Sequence, residues 1–396
     1  MAPAPTPVST PNPNHLWFGL GVVAAAGARL LATPSDGAAL QTVWCWLGAV
    51  ITLALLARWK GSEAPRQTPI LPARLALRRV PRSHYPFVDA RGVMGLRPLA
   101  QDSGGVLLDV DSHYLAHVEL KRTLFRCARE RVFAEADGAG LRGHARLASH
   151  EALEFVVQRL AHECPGLLQV VEQREGSGEG SAGHAKTLVN ASTGHFWRVD
   201  THGQSAEHPL VIAAQNVQED LVVLLPSPEE GGGEYVVAAA AVCFADQWDV
   251  AAKIGKPLTH VHAPVEAYPR VAAAVNAFFR NLQAGDEKIR YNFTFCERSA
   301  LHQPHDCGDA SDCPLPDTGL PSQLHLRVER QGLIRLPQTH AVLFTIRTYL
   351  ERVQDIPEPL RAPLAAELRD TSGQRTTLSR ANKLKYGERV CAALGL

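Results

Sequence analysis

From about Tyr85 onward the pattern of apolar and polar positions changes period several times. Over Glu151–Leu160, the residues Leu153, Val156, Val157 and Leu160 recur at helical spacing and predict a helix with one buried stripe. Ala267–Leu282 repeats this with Val271, Val275, Phe278, Phe279 and Leu282. Ile289–Phe295 switches to a period of two. Ile289, Tyr291, Phe293 and Phe295 fall on one side; Arg290, Asn292 and Thr294 fall on the other. That predicts a strand with an apolar and a polar face. Gln215–Leu225 passes from helix-like to β-rich, Tyr235–Phe244 reads as a small apolar strand, and Leu324–Arg330 alternates again. Ala341–Tyr349 suits a strand or a helix start, and the tail from Arg361 reads as helical. Gly176–Gly183, Glu230–Gly233 and His302–Leu320 carry turn and loop residues. The mixture predicts one domain of mixed helices and strands from about Tyr85 onward.

The N-terminal part is patterned differently. Residues 1–15 are proline-rich, with no charged side chain through Asn14, and predict a disordered tail. Two apolar runs follow, Leu16–Leu31 with Arg29 near its end and the uncharged Leu40–Ala57. A membrane span needs about 20 apolar residues and at least about 17. Residues 16–60 therefore read as one or two transmembrane helices; buried helices of a soluble domain are a further reading. A signal peptide would want basic residues before the apolar core, and none precedes Leu16. Arg66, Arg74, Arg78, Arg79 and Arg82 make 61–83 a basic linker and place the C-terminal bulk on the cytoplasmic side.

Composition narrows the function. Lys plus Arg and Asp plus Glu balance at 40 each, giving no net charge, which argues against a general nucleic-acid binder. Eight cysteines in 396 residues are too dilute for a disulfide scaffold, and no Cys-x-x-Cys pair suggests zinc. Seventeen histidines prompt a search for a ligand. The densest chemistry is Trp248–Pro264, where His260 and His262 lie two apart, facing one way if the segment is a strand, and Lys253 and Lys256 flank Gly255. Ordinary surface histidines, a zinc pair without a third ligand, and a single histidine ligand to haem all remain open.

An order of motifs gives a resemblance. Leu108-Asp-Val-Asp-Ser-His-Tyr-Leu is followed by Val217-Gln-Glu-Asp-Leu, Val242-Cys-Phe, Trp248 and Lys253-Ile-Gly. Then come Val261-His-Ala-Pro-Val, Phe278-Phe, Arg290-Tyr-Asn and Leu326-Arg-Val-Glu-Arg-Gln. Arg335-Leu-Pro, Leu343-Phe-Thr-Ile-Arg-Thr-Tyr-Leu and Lys385-Tyr-Gly complete the series. In this order the chain resembles the haem-dependent oxidative N-demethylase-like family. Two positions depart from the family pattern: Glu266 stands where it has a proline, and Phe293 where it has a tryptophan.

The resemblance implies a PAS-like α+β domain with helical additions, enclosing haem b and here preceded by a membrane segment. It implies a monooxygenase that demethylates a small amine oxidatively, with electrons from a separate flavin and iron–sulfur reductase or a ferredoxin-like protein. A haem-binding sensor or carrier without turnover is the alternative, and a cofactor-free membrane scaffold a further one. His262 matches the family's histidine and is the expected iron ligand, with His260 as fallback. Arg290, Asn292, Lys253 and Arg327 are expected around the cofactor. Glu219 and Asp220 form an acidic pair suited to a substrate ammonium or a proton relay. Arg330 falls on the apolar side of its strand with Leu324, Leu326 and Val328, where a haem propionate is its expected counter-ion.

Overall fold

The alternation over Ile289–Phe295 becomes the strand Glu287–Cys296, whose odd-numbered residues from Ile289 to Phe295 are buried while Arg290, Asn292 and Thr294 are partly exposed. This computed structural model describes residues 85–88, 95–102, 105–138, 140–174, 184–200, 206–227, 233–246, 248–263, 265, 268–304, 324–369 and 380–396. Its elements run β1 (Arg97–Pro98), α1 (Tyr114–Cys127), α2 (Arg129–Val132), β2 (Phe133–Glu135), α3 (Arg142–Glu163), β3 (Leu168–Arg174), β4 (His184–Asn190) and β5 (Phe196–Asp200). They continue with α4 (Pro209–Ala214), β6 (Asp220–Pro226), β7 (Tyr235–Ala241), α5 (Leu258–Val261), α6 (Tyr268–Asn281) and β8 (Glu287–Cys296). The last are β9 (His325–Arg335), β10 (Val342–Arg352), α7 (Glu358–Arg369) and α8 (Arg380–Leu394).

Seven strands form one antiparallel sheet in the order β1-β8-β9-β10-β6-β7-β2, and β3-β4-β5 form a second sheet. The register sorts the large sheet into two faces. Tyr291 pairs with Arg330 and Arg330 with Arg347, while Phe293, Val328 and Tyr349 form the next row. This face holds the larger core with α1, α3, α4 and α8, through Val118, Val156, Ile212 and Tyr386. On the reverse face Arg290 pairs with Gln331, and Asn292 with Glu329. There a smaller core gathers Val222, Val237, Leu258, Tyr268, Phe279 and Leu333 under α5 and α6. Gly332 in β9 is the close approach of the larger core: a Cβ there would overlap Thr345 and press on Leu107 at 3.0 Å.

The expectation of a PAS-like domain preceded by a membrane segment is corrected. The observed fold is α+β with a large antiparallel sheet, and no described helix is long and apolar enough to cross a membrane. The longest, α3, has the length, but Arg146, Glu151, Glu154 and Arg159 break its apolar surface. The apolar runs of 16–60, the tail, the basic linker, the Gly176–Gly183 loop and most of the His302–Leu320 loop lie outside the described residues.

One segment before α1 has its backbone held by side chains rather than by a ladder. Glu163 accepts from the amides of Leu107 (2.8 Å) and Leu108 (2.9 Å), Glu219 from Asp109 (2.9 Å), and Gln218 from Asp111 (2.9 Å). Arg330 donates to the carbonyls of Leu107 (2.9 Å) and Val106. Buried backbone groups need partners, and here four side chains supply them.

Candidate functional site

His262 follows α5, a single turn, rather than lying in a strand, so the two histidines do not share a side. His260 is exposed, whereas His262 caps the turn and is partly buried. Four residues separate His262 from Leu258, one helical turn, and its Nδ1 lies 2.8 Å from the Leu258 carbonyl oxygen. A carbonyl only accepts, so Nδ1 carries the proton and a neutral ring leaves its lone pair on Nε2. Burial holds the ring neutral by pushing its pKa down to about 4; the Leu258 bond opposes this, and the nearby Arg290 and Lys253 add to it. The Tyr268 ring stacks on the imidazole with centroids 4.3 Å apart and planes 8° from parallel, fixing its orientation.

Several expected residues gather around His262. Lys253 donates to the Val261 carbonyl at 3.0 Å, lies 5.0 Å from the Trp248 ring centroid, and has its pKa lowered by burial. Arg290 donates from Nε to Gln331 at 2.8 Å, and Gln331 in turn donates to Glu329 at 2.9 Å. Among the described residues no partner meets the two terminal nitrogens of Arg290. Burial lowers its pKa to about 10 although Tyr268 and Glu329 pull the other way. Among the described residues, Oδ1 of Asn292 and the Tyr268 hydroxyl are buried without a hydrogen-bond partner. Buried polar atoms normally have one, so this cluster is incomplete as a protein core.

Other expected residues have different work. Arg327 is fully buried. It donates to the carbonyls of Phe244 and of Leu301 (3.2 Å), and lies 4.0 Å from Asp246. It ties the segment after β7 to β9. Asp220 accepts the amides of Cys243 and Phe244, each at 2.9 Å, and pairs with Lys121 at 3.4 Å. Its carboxylate is thereby saturated. Glu219 accepts the Asp109 amide, and burial pushes its pKa up to about 7 against the pull of Arg347. The counter-ion of Arg330 is a correction: Asp102, at 2.9 Å, occupies the role expected of a propionate. Asp102 lies so far upstream that no local pattern connects the two.

Tyr268 and Gln331 were not singled out by the sequence. The available signal was an aromatic residue opening the α6 stripe and a glutamine on the polar face of β9 opposite Arg290. Pro264 and Glu266, beside His262, lie outside the described residues. A separate cavity of about 1000 Å³ opens on the other face, beside Asp111, His117, Arg347 and Glu351.

The model of the haem-dependent oxidative N-demethylase, alpha subunit-like family matches residues 99–389. That span contains every element from α1 to α7 and both clusters described above. With well over half of its length matched, the chain belongs to the haem-dependent oxidative N-demethylase, alpha subunit-like family.

Proposed function

We propose that this protein is a haem-dependent oxidoreductase that removes a methyl group oxidatively from a small amine, with His262 as the protein ligand to the iron. Family membership supports the reaction class. The observation that carries the site is the His262 imidazole, neutral, oriented by the Leu258 carbonyl and Tyr268, with its Nε2 lone pair met by no described residue. Histidine ligands characteristically spend their other ring nitrogen on a carbonyl or carboxylate in this way.

The surrounding residues fit haem by their chemistry. The terminal nitrogens of Arg290 have no described partner and suit a propionate carboxylate. Lys253 adds a second cation, and the Asn292 amide oxygen and Tyr268 hydroxyl are polar atoms awaiting a partner. When bound, haem supplies the redox-active iron that oxidises the C–H bond beside nitrogen, with electrons from a separate reductase or ferredoxin-like protein. The chain's part is to hold the ligand nitrogen unprotonated, to offer positive charge to the cofactor's carboxylates, and to place the amine. Glu219 is able to hold a proton near neutral pH. Its 1 % exposure makes it a buried store rather than a group open to solvent.

The test is the absorption spectrum of the chain reconstituted with haem. His262→Ala is expected to lose the cofactor or change its spectrum, and His260→Ala to leave it as in the wild type. The reverse result moves the ligand to His260. Steady consumption of reductant and oxygen with a secondary methylamine separates turnover from a sensor or carrier, which binds haem without consuming reductant.

A further inference from the structure

The cavity on the face away from His262 has a charge balance that the proposed activity does not explain. Five charged side chains line it: Asp111, Glu351, Asp355, Arg347 and Arg352. Arg347 donates to Asp111 inside the fold, and Arg352 donates to Asp355 at 2.6 Å nearer the surface. Glu351 is left over. Among the described residues it meets only the hydroxyl of Tyr85, which donates to it at 2.7 Å, and no cation. The carboxylate is half-buried, and burial, with Asp355 adding to it, holds its pKa up.

His117 brings no compensating charge. The side-chain oxygen of Gln218 accepts the Asp111 amide, so its nitrogen donates both to Asp111 (2.9 Å) and to Nδ1 of His117 (3.0 Å). Nδ1 of His117 is therefore an acceptor, and its proton sits on Nε2. Burial, reinforced by Arg347, pushes the ring pKa down to about 3, so it stays neutral. The remaining walls are largely apolar, including Leu301, Leu326, Val328, Pro359 and Leu360.

We propose that this cavity binds an organic ammonium with an apolar body, its cationic nitrogen beside Glu351 and Tyr85 and its apolar part against Leu326, Val328 and Leu360. A volume of about 1000 Å³ accommodates a ligand well beyond a single methylamine. The tyrosine ring beside the carboxylate adds a face suited to a cation. The site is separate from the His262 cluster, since Val328 and Glu351 project from the sheet face opposite Arg290.

The experiment is calorimetric titration of the full chain with phenethylammonium, and with 2-phenylethanol and 3-phenylpropionate as neutral and anionic counterparts. Saturable binding of the ammonium alone is expected. Glu351→Gln, which keeps shape and removes charge, is expected to weaken it by about tenfold or more. Leu360→Trp, which narrows the cavity, is expected to abolish binding with Glu351 intact. His262→Ala is expected to leave it unchanged, so a failed haem site and a failed cation site give different results. No binding of the ammonium overturns the proposal. So does equal binding of all three probes, or wild-type affinity in Glu351→Gln.

Discussion

Two arginines on neighbouring strands face opposite ways and live under opposite conditions. Arg330 projects into the larger core, where Asp102 and two backbone carbonyls take up its donors. Burial alone would weaken its hold on the proton, yet Tyr291, Tyr349 and Asp102 more than compensate. Arg290, one strand away and on the other face, has a single hydrogen bond among the described residues and a pKa drawn down to about 10 by burial. The first arginine is part of a finished interior. The second carries a desolvated charge that the protein alone leaves under-satisfied, the state expected of a residue kept for a ligand. Burial by itself does not separate a structural charge from a functional one; the accounting of its partners does.

This contrast is broken or sharpened first by removing each charge. Arg330→Leu takes from Asp102 its nearest cation, leaving it Arg97 at 3.6 Å and the Tyr291 hydroxyl, and strips the buried Val106 and Leu107 carbonyls of their donor; the expected cost is about 3 kcal/mol in urea unfolding of the haem-free protein. Arg290→Leu is expected to change that stability by less than about 1 kcal/mol, in either direction, while haem dissociates faster to an acceptor protein. Equal losses for the two variants would end the distinction between the faces.

Acid comes next, because burial lowers the pKa of His262 on one face and of His117 on the other. The folded-state pKa values are about 4 for His262 and about 3 for His117, against an ordinary 6.5. Between these limits the unfolded chain binds more protons, so stability falls as the pH drops from 6.5 toward 4. His262 is expected to account for on the order of 2 kcal/mol of that loss. His262→Gln and His117→Gln should each flatten the dependence of the urea midpoint on pH. A slope unchanged in both variants would assign acid sensitivity to other groups.

Gln218→Leu tests the network at the cavity. It strips a partner from the Asp111 amide, the Asp111 carboxylate and His117 together, at an expected cost of about 1–3 kcal/mol. The smallest effect belongs to the exposed Arg389–Glu297 pair. Glu297→Gln is expected to shift stability by at most about 1 kcal/mol and to leave both faces as they are.

How far the sequence shows these features depends on the distance between partners. The period of two over Ile289–Phe295 predicts both the strand and the face on which Arg290 and Asn292 lie, because strand pleating is local. Leu324–Arg330 has the same period but misleads about environment. His325, Arg327 and Arg330 are all buried in β9, so polar residues on this strand do not mark a solvent face. Arg327 and Arg330 find carbonyls and a carboxylate far away in sequence, and no periodicity records such partners. The imidazole orientation of His262 was within reach, since a residue and the carbonyl four positions before it meet in any helical turn. The strand reading of the His-x-His pair hid it. The three strands of the small sheet and the helix α1 carried too weak a stripe to stand out.

The segment from Val106 to Asp111 has a consequence for amide exchange. The amides of Leu107, Leu108, Asp109 and Asp111 are bound by Glu163, Glu219 and Gln218, and the carbonyls of Val106 and Leu107 by Arg330, so side chains rather than a ladder protect them. Fraying from an end, the usual route by which irregular chain exchanges, is opposed, because the bonds are anchored at three separate places: Glu163 in α3, Gln218 and Glu219 before β6, and Arg330 in β9. Deuterium should enter Leu107, Leu108, Asp109 and Asp111 as slowly as the central strands, and in one concerted step with them. The stretch between β1 and α1 would then belong kinetically to the sheet, although it contributes no strand to it.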